Sequence, residues 1–186
     1  MDLATIFSIV ALVAAIATAW FVWIQANLLG TQNELSAVIQ LNAVWNSEYM
    51  RALRSRWAED EIRDRLGDSD RDLISLEPLL EFLEEFAGLH KRKILGDELI
   101  WDSTIGWHAV RYYLYNQENG NIPRLKNQWA DATLYQNLSR LWDSYLKPEA
   151  KQRGIDENEL VKQVRETKQK FLDAERHAAG LSQSAD

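Results

Sequence analysis

Apolar positions along this chain fall into two regimes. From Leu3 to Ile24 they run almost unbroken, LATIFSIVALVAAIATAWFVWI, with Thr5, Ser8 and Thr18 as the polar exceptions. At about 1.5 Å per residue the stretch is roughly 33 Å long as a helix, close to the hydrocarbon thickness of a bilayer. Trp20 and Trp23 fall near its end, at the level that indole rings favour in a membrane. The run predicts one transmembrane helix, with the lipid bilayer as the partner of residues 3–24. A signal peptide would want a basic start, whereas this chain begins Met1-Asp2.

Beyond the run, apolar residues recur every three or four positions, which is helical spacing. Leu35, Val38, Ile39, Asn42, Trp45, Tyr49, Leu53 and Trp57 form a first stripe. The charge-dense stretch Ala58 to Asp72 reads as a helix end and a solvated connection. Leu76, Leu79, Leu80, Leu83, Phe86 and His90 share the face of a second helix, with Pro78 near its start and Gly96 as its stop. Asp97 opens a third helix, to about Tyr115, and Asn116 to Pro123 is rich in turn residues. Leu134, Leu138, Leu141, Trp142 and Tyr145 mark a fourth helix from Asp131. Gly154 separates the last, which Asp156 and Glu159 cap. Its seam, Leu160, Val164, Thr167, Phe171, Ala174 and Ala178, alternates four and three as in a coiled coil, and pairs either with the domain's own first helix or with another chain. No segment alternates like a strand. The pattern therefore predicts an all-α chain: a transmembrane anchor over 1–27, a bundle of four or five helices mostly within 28–150, and an amphipathic C-terminal helix with a frayed tail over 151–186.

Charge and composition narrow the function. There are 28 acidic and 21 basic residues, a net charge of -7, which argues against a general nucleic-acid binder. No Lys or Arg precedes Arg51, and the cluster Arg51, Arg54 and Arg56 follows the apolar run; this asymmetry places the soluble domain in the cytoplasm. Absent cysteine removes disulfides, thiolate metal sites and thiol nucleophiles. The Glu-x-x-His pattern of di-iron bundles fails at each of the three histidines, because Ala87, Ile105 and Ala174 stand three residues before His90, His108 and His177. His108 reads as a boundary histidine bonded to a neighbour. No phosphate loop, nucleophile elbow or zinc-protease motif occurs. The expectation is a non-enzymatic chain without cofactor or metal.

Two features suggest protein contacts. Trp107 and Trp129 fit the helical stripes least well, which makes them candidates for a partner surface along with the seam residues Leu160, Val164 and Phe171. Within the apolar run Ala11, Ala15 and Ala19 recur every four residues, a stripe that lets two membrane helices approach closely.

The segment Phe82 to Tyr115 resembles an uncharacterised bacterial family, domain of unknown function 4760, through Phe82, Glu84-Glu85, Gly88, Arg92-Lys93, Asp97 and Leu99-Ile100-Trp101. Tyr112-Tyr113 stands where that family tends to carry Trp. The resemblance implies a short membrane helix followed by a small helical domain, and it brings no activity or catalytic residue. Together these readings lead to an expected single-pass protein of a bacterial inner membrane. It would serve as an interaction or accessory subunit with a protein partner or a second copy of itself; the alternative is a self-assembling membrane effector or channel subunit.

Overall fold

The computed structural model describes residues 18, 20–22, 25, 30, 32–65 and 76–178. The chain divides into two compact units, Met1–Ile39 and Gln40–Asp186. Among the described residues every regular element is helical. None of these helices is long and apolar enough to cross a membrane. The proposed span and its stripe Ala11, Ala15 and Ala19 fall outside the described residues, apart from Thr18, Trp20, Phe21 and Val22.

The unit boundary lies within a helical stretch, residues 32–45 (α1). Eight further helices follow among the described residues: α2 (Glu48–Arg65), α3 (Glu77–Lys91), α4 (Asp97–Asp102), α5 (Thr104–Glu118), α6 (Asn121–Gln128), α7 (Gln136–Arg153), α8 (Glu157–Glu166) and α9 (Lys168–His177). The expected four or five helices are more numerous because short polar residues break three of them. At the first break Asn46 donates back to the Asn42 carbonyl, and Ser47 Oγ accepts from the Met50 amide to start α2. At the second, Ser103 accepts from the Gly106 amide, so the helix expected over 97–115 becomes α4 and α5. A Cβ on Gly106 would lie 2.2 Å from the Ile100 carbonyl oxygen, so this corner admits only glycine. At the third, Thr167 donates to the Val164 carbonyl and divides the expected C-terminal helix into α8 and α9.

The loop expected over 116–123 is mostly helix, with Gly120 in the left-handed region as its single turn. The helix expected from Asp131 begins at Gln136, after a turn in which Asp131 accepts from the amide and hydroxyl of Thr133. Asp156 does cap α8, accepting from the Glu159 amide. Pro78 lies in the first turn of α3, where its missing N–H costs nothing.

Within the second unit α3 packs on α7, α5 sits between them and α6, and α2 packs chiefly on α9. Leu79, Leu80 and Leu83 of α3, Ile105, Ala109 and Val110 of α5, and Leu138 and Leu141 of α7 are buried together. Each such aliphatic side chain contributes roughly 1.5–3 kcal/mol by leaving water.

Candidate functional site

The most concentrated chemistry lies where α2, α5 and α9 meet. On α2 the buried face is Met50, Arg54, Trp57, Ala58 and Glu61, a helical stripe that contains two charges. On α9 the facing stripe is Lys168, Phe171, Leu172 and Glu175, again with two charges. Arg54 Nε lies 3.5 Å from Glu175 Oε2, and Lys168 Nζ lies 3.2 Å from Glu61 Oε2. The partners step forward by seven along α2 and back by seven along α9. A parallel arrangement would set Arg54 against Lys168 and Glu61 against Glu175. The alternating signs therefore specify an antiparallel pair and its register.

Helix α5 completes both levels. At the first, His108 Nε2 lies 2.8 Å from Glu175 Oε1, while its Nδ1 lies 2.6 Å from the Thr104 carbonyl. Each ring nitrogen of His108 thus faces one oxygen, a carboxylate on one side and a backbone carbonyl on the other. The Arg54 guanidinium lies 4.3 Å from the centre of the Trp45 ring, and Trp45 meets His108 edge-on. Tyr112 is fully buried beside this group. Its burial, reinforced by the Glu175 charge and opposed by Arg54, pushes the phenol well above its ordinary range.

At the second level Asn119 and Asn121 both donate to Glu61. Asn116 accepts from Asn121 at 2.7 Å and from the Trp57 indole at 3.2 Å, and donates to the Tyr112 carbonyl. Lys168 also reaches Asn119 and lies over the Tyr115 ring. Glu61 and Glu175 are each only 3% exposed; Glu61 accepts from Asn119, Asn121 and Lys168, whereas Glu175 Oε2 and Arg54 Nε face each other at 3.5 Å without a hydrogen bond. The arrangement ties three helices together through buried opposite charges. Among the described residues no three His, Asp or Glu side chains are placed to hold a metal ion.

The residues proposed from sequence separate into different environments. Leu160, Val164 and Phe171 are buried inside the domain, Phe171 among Trp57, His108, Tyr112 and Tyr115. The seam thus pairs within its own chain, and these three residues are not available as a partner surface. Trp107 is half-buried, donating to the Trp101 carbonyl at 2.9 Å and packing on Trp101 and Tyr145. Trp129, at the C-terminal end of α6, is 57% exposed. His108 has the bonded, boundary character expected of it, but with Glu175 as partner. His177 bonds the Asp173 carbonyl rather than its carboxylate, which pairs with Arg176.

Glu84 on α3 has a role the sequence did not suggest. Its two oxygens accept from the amides of Asn137 and Leu138 at 2.9 and 2.8 Å. Tyr135, the residue before α7, sits in the left-handed region and supplies no cap, so a carboxylate from another helix does so.

No family model, curated protein or solved structure matches this chain.

Proposed function

We propose that this chain is a membrane-tethered, non-enzymatic interaction subunit. The carrying observation is the distribution of exposed large apolar side chains. Seven of the nine among the described residues lie in the first 49 positions: Trp20, Phe21 and Val22 within the apolar run from Leu3 to Ile24, and Leu35, Ile39, Val44 and Tyr49 after it. Among the described residues after Met50, the exposed large apolar side chains are Ile94 and Trp129. Exposed apolar surface of this kind suits lipid or protein contact.

The test is fractionation of the tagged full-length chain, followed by purification in mild detergent. The chain should stay with membranes through alkaline carbonate extraction, and deletion of residues 1–30 should release a folded domain. It should then purify as a complex of defined mass, either with a stoichiometric second protein or as a homo-oligomer. A full-length chain released by carbonate, or one that is monomeric and alone, overturns the proposal.

A further inference from the structure

The charged side chains at the α2–α5–α9 junction face opposite charges inside the domain, whereas Arg111 faces none among the described residues. It projects from α5 into a cleft of about 160 Å³ between α5, α7 and α8. Its guanidinium lies 5.6 Å from the Phe171 ring, and among the described residues no carboxylate comes within ion-pair distance of it. Arg153, from the last turn of α7, enters the same cleft. It holds Glu149 through Nε and Nη2, both 2.6 Å from a single carboxylate oxygen, which leaves part of its fork unused. The cleft thus carries two guanidinium groups against one carboxylate.

The remaining walls combine apolar and amphipathic side chains with the polar Gln163 and Thr167 on the α8 side. Val110, Val164 and the Tyr145 ring are buried, and the half-buried Trp107 indole closes one side. Burial and the Glu149 charge push the Tyr145 phenol up to about 12, with Arg153 and Arg111 pulling the other way, so all three charges reach the same spot. The phenol is therefore a hydrogen-bond donor at neutral pH. Planar guanidinium forks match a carboxylate through two parallel hydrogen bonds. One surplus positive charge matches one negative charge. The volume corresponds to a few heavy atoms beyond the carboxylate, which would lie against Val110, Val164 and Trp107.

We infer that the cleft between α5, α7 and α8 binds a small monocarboxylate with a short apolar tail, held by Arg111 and Arg153. This does not depend on how the chain meets the membrane.

The experiment is calorimetric titration of the full-length chain, in mild detergent, with acetate, butyrate, benzoate and inorganic phosphate in turn. Ligands of this size bind in about the millimolar range or somewhat tighter. Butyrate and benzoate should bind one per chain and more tightly than acetate, and phosphate should bind more weakly than either. Arg111→Gln should weaken butyrate about tenfold or more, the worth of a charge-assisted bond. Arg111→Lys keeps the charge but loses the fork, and should fall between. Glu149→Gln frees Arg153 and should tighten binding severalfold. Circular dichroism checks that each variant is folded, and Arg111→Lys takes the place of Arg111→Gln should that variant unfold. Carboxylates without effect through the millimolar range overturn the inference, as does equal affinity in the folded Arg111 variants. Preference for phosphate over butyrate would also overturn it, since that marks a site blind to the apolar tail.

Discussion

His108 of α5 and Glu175 of α9 meet at 2.8 Å, and Glu175 in turn faces Arg54 of α2. One carboxylate thus joins side chains from two other helices. Removing it leaves the buried Arg54 without its counter-charge. Glu175→Gln should therefore destabilise the folded chain by about 3 kcal/mol, measured by urea unfolding. Arg54→Met together with Glu175→Met should recover part of that loss, because buried ion pairs are often no better than apolar side chains of similar volume. A double variant as unstable as the sum of its parts would refute the pairing.

Three of the buried tyrosines make stability depend on alkaline pH. Tyr112, Tyr135 and Tyr145 all have phenols raised by burial, with nearby glutamates adding to it. A raised folded value means that the fold holds the proton more tightly than the unfolded chain does. The resulting stability is complete below the ordinary phenol value of about 10 and is lost as pH rises through the folded values. For Tyr145 this window runs from about 10 to about 12. Phenolate absorbance followed alongside circular dichroism should show these three ionising together with loss of helix. Ionisation of all tyrosines before any helix is lost would contradict the packing.

Glu84 acts as the N-terminal cap of α7 although it belongs to α3. Glu84→Gln keeps one acceptor and loses the charge, and should cost about 1 kcal/mol. The urea midpoint should fall while the slope of the transition stays unchanged. A neutral result would mean that water caps α7 as well as the carboxylate does.

Trp107 and Trp129 should respond in opposite ways. Trp129→Ala should change stability by no more than about 0.5 kcal/mol, because the side chain is largely in water. Trp107→Ala removes a ring packed on Trp101 and Tyr145 and should cost about 2 kcal/mol. Recovery of any co-purifying protein should fall with Trp129→Ala alone. Equal loss in both variants would point to a folding defect rather than a contact.

The helical nature of the chain was legible from spacing, and so were most members of the buried apolar set. Phe171 and Leu160 stood out because every third or fourth residue along their helix is apolar. Helix number was harder, since Ser103 and Thr167 sit at helix ends with a bond to the carbonyl three residues back, and Ser144 makes the same bond inside α7 without ending it. The face of α2 was misjudged for a physical reason. Its inward stripe contains Arg54 and Glu61, and a hydropathy reading sends charges outward. Tyr49, which the apolar stripe includes, is exposed on α2, as are Leu35 and Ile39 on α1. A signal was present in the opposite charges seven apart on α2, Arg54 and Glu61, matched by Lys168 and Glu175 seven apart on α9. Recognising it requires knowing which two helices pair, and such long-range pairing is what local spacing does not encode. Glu84 escaped notice for the same reason, because its partners lie more than fifty residues away.

The ion pairs between α2 and α9 join an early segment of the domain to its last described helix. During synthesis Arg54 and Glu61 leave the ribosome more than a hundred residues before Glu175 and Lys168. Until α9 emerges, α2 carries two charges on its inner face with no partner from that helix, and the aromatic cluster around Phe171 lacks its centre. Domains generally fold as units during synthesis. Here the unit can reach its final state only after its C-terminal helix has been made, so a messenger or chain cut anywhere before Lys168 yields an open bundle, marked for degradation by the apolar surface it cannot cover.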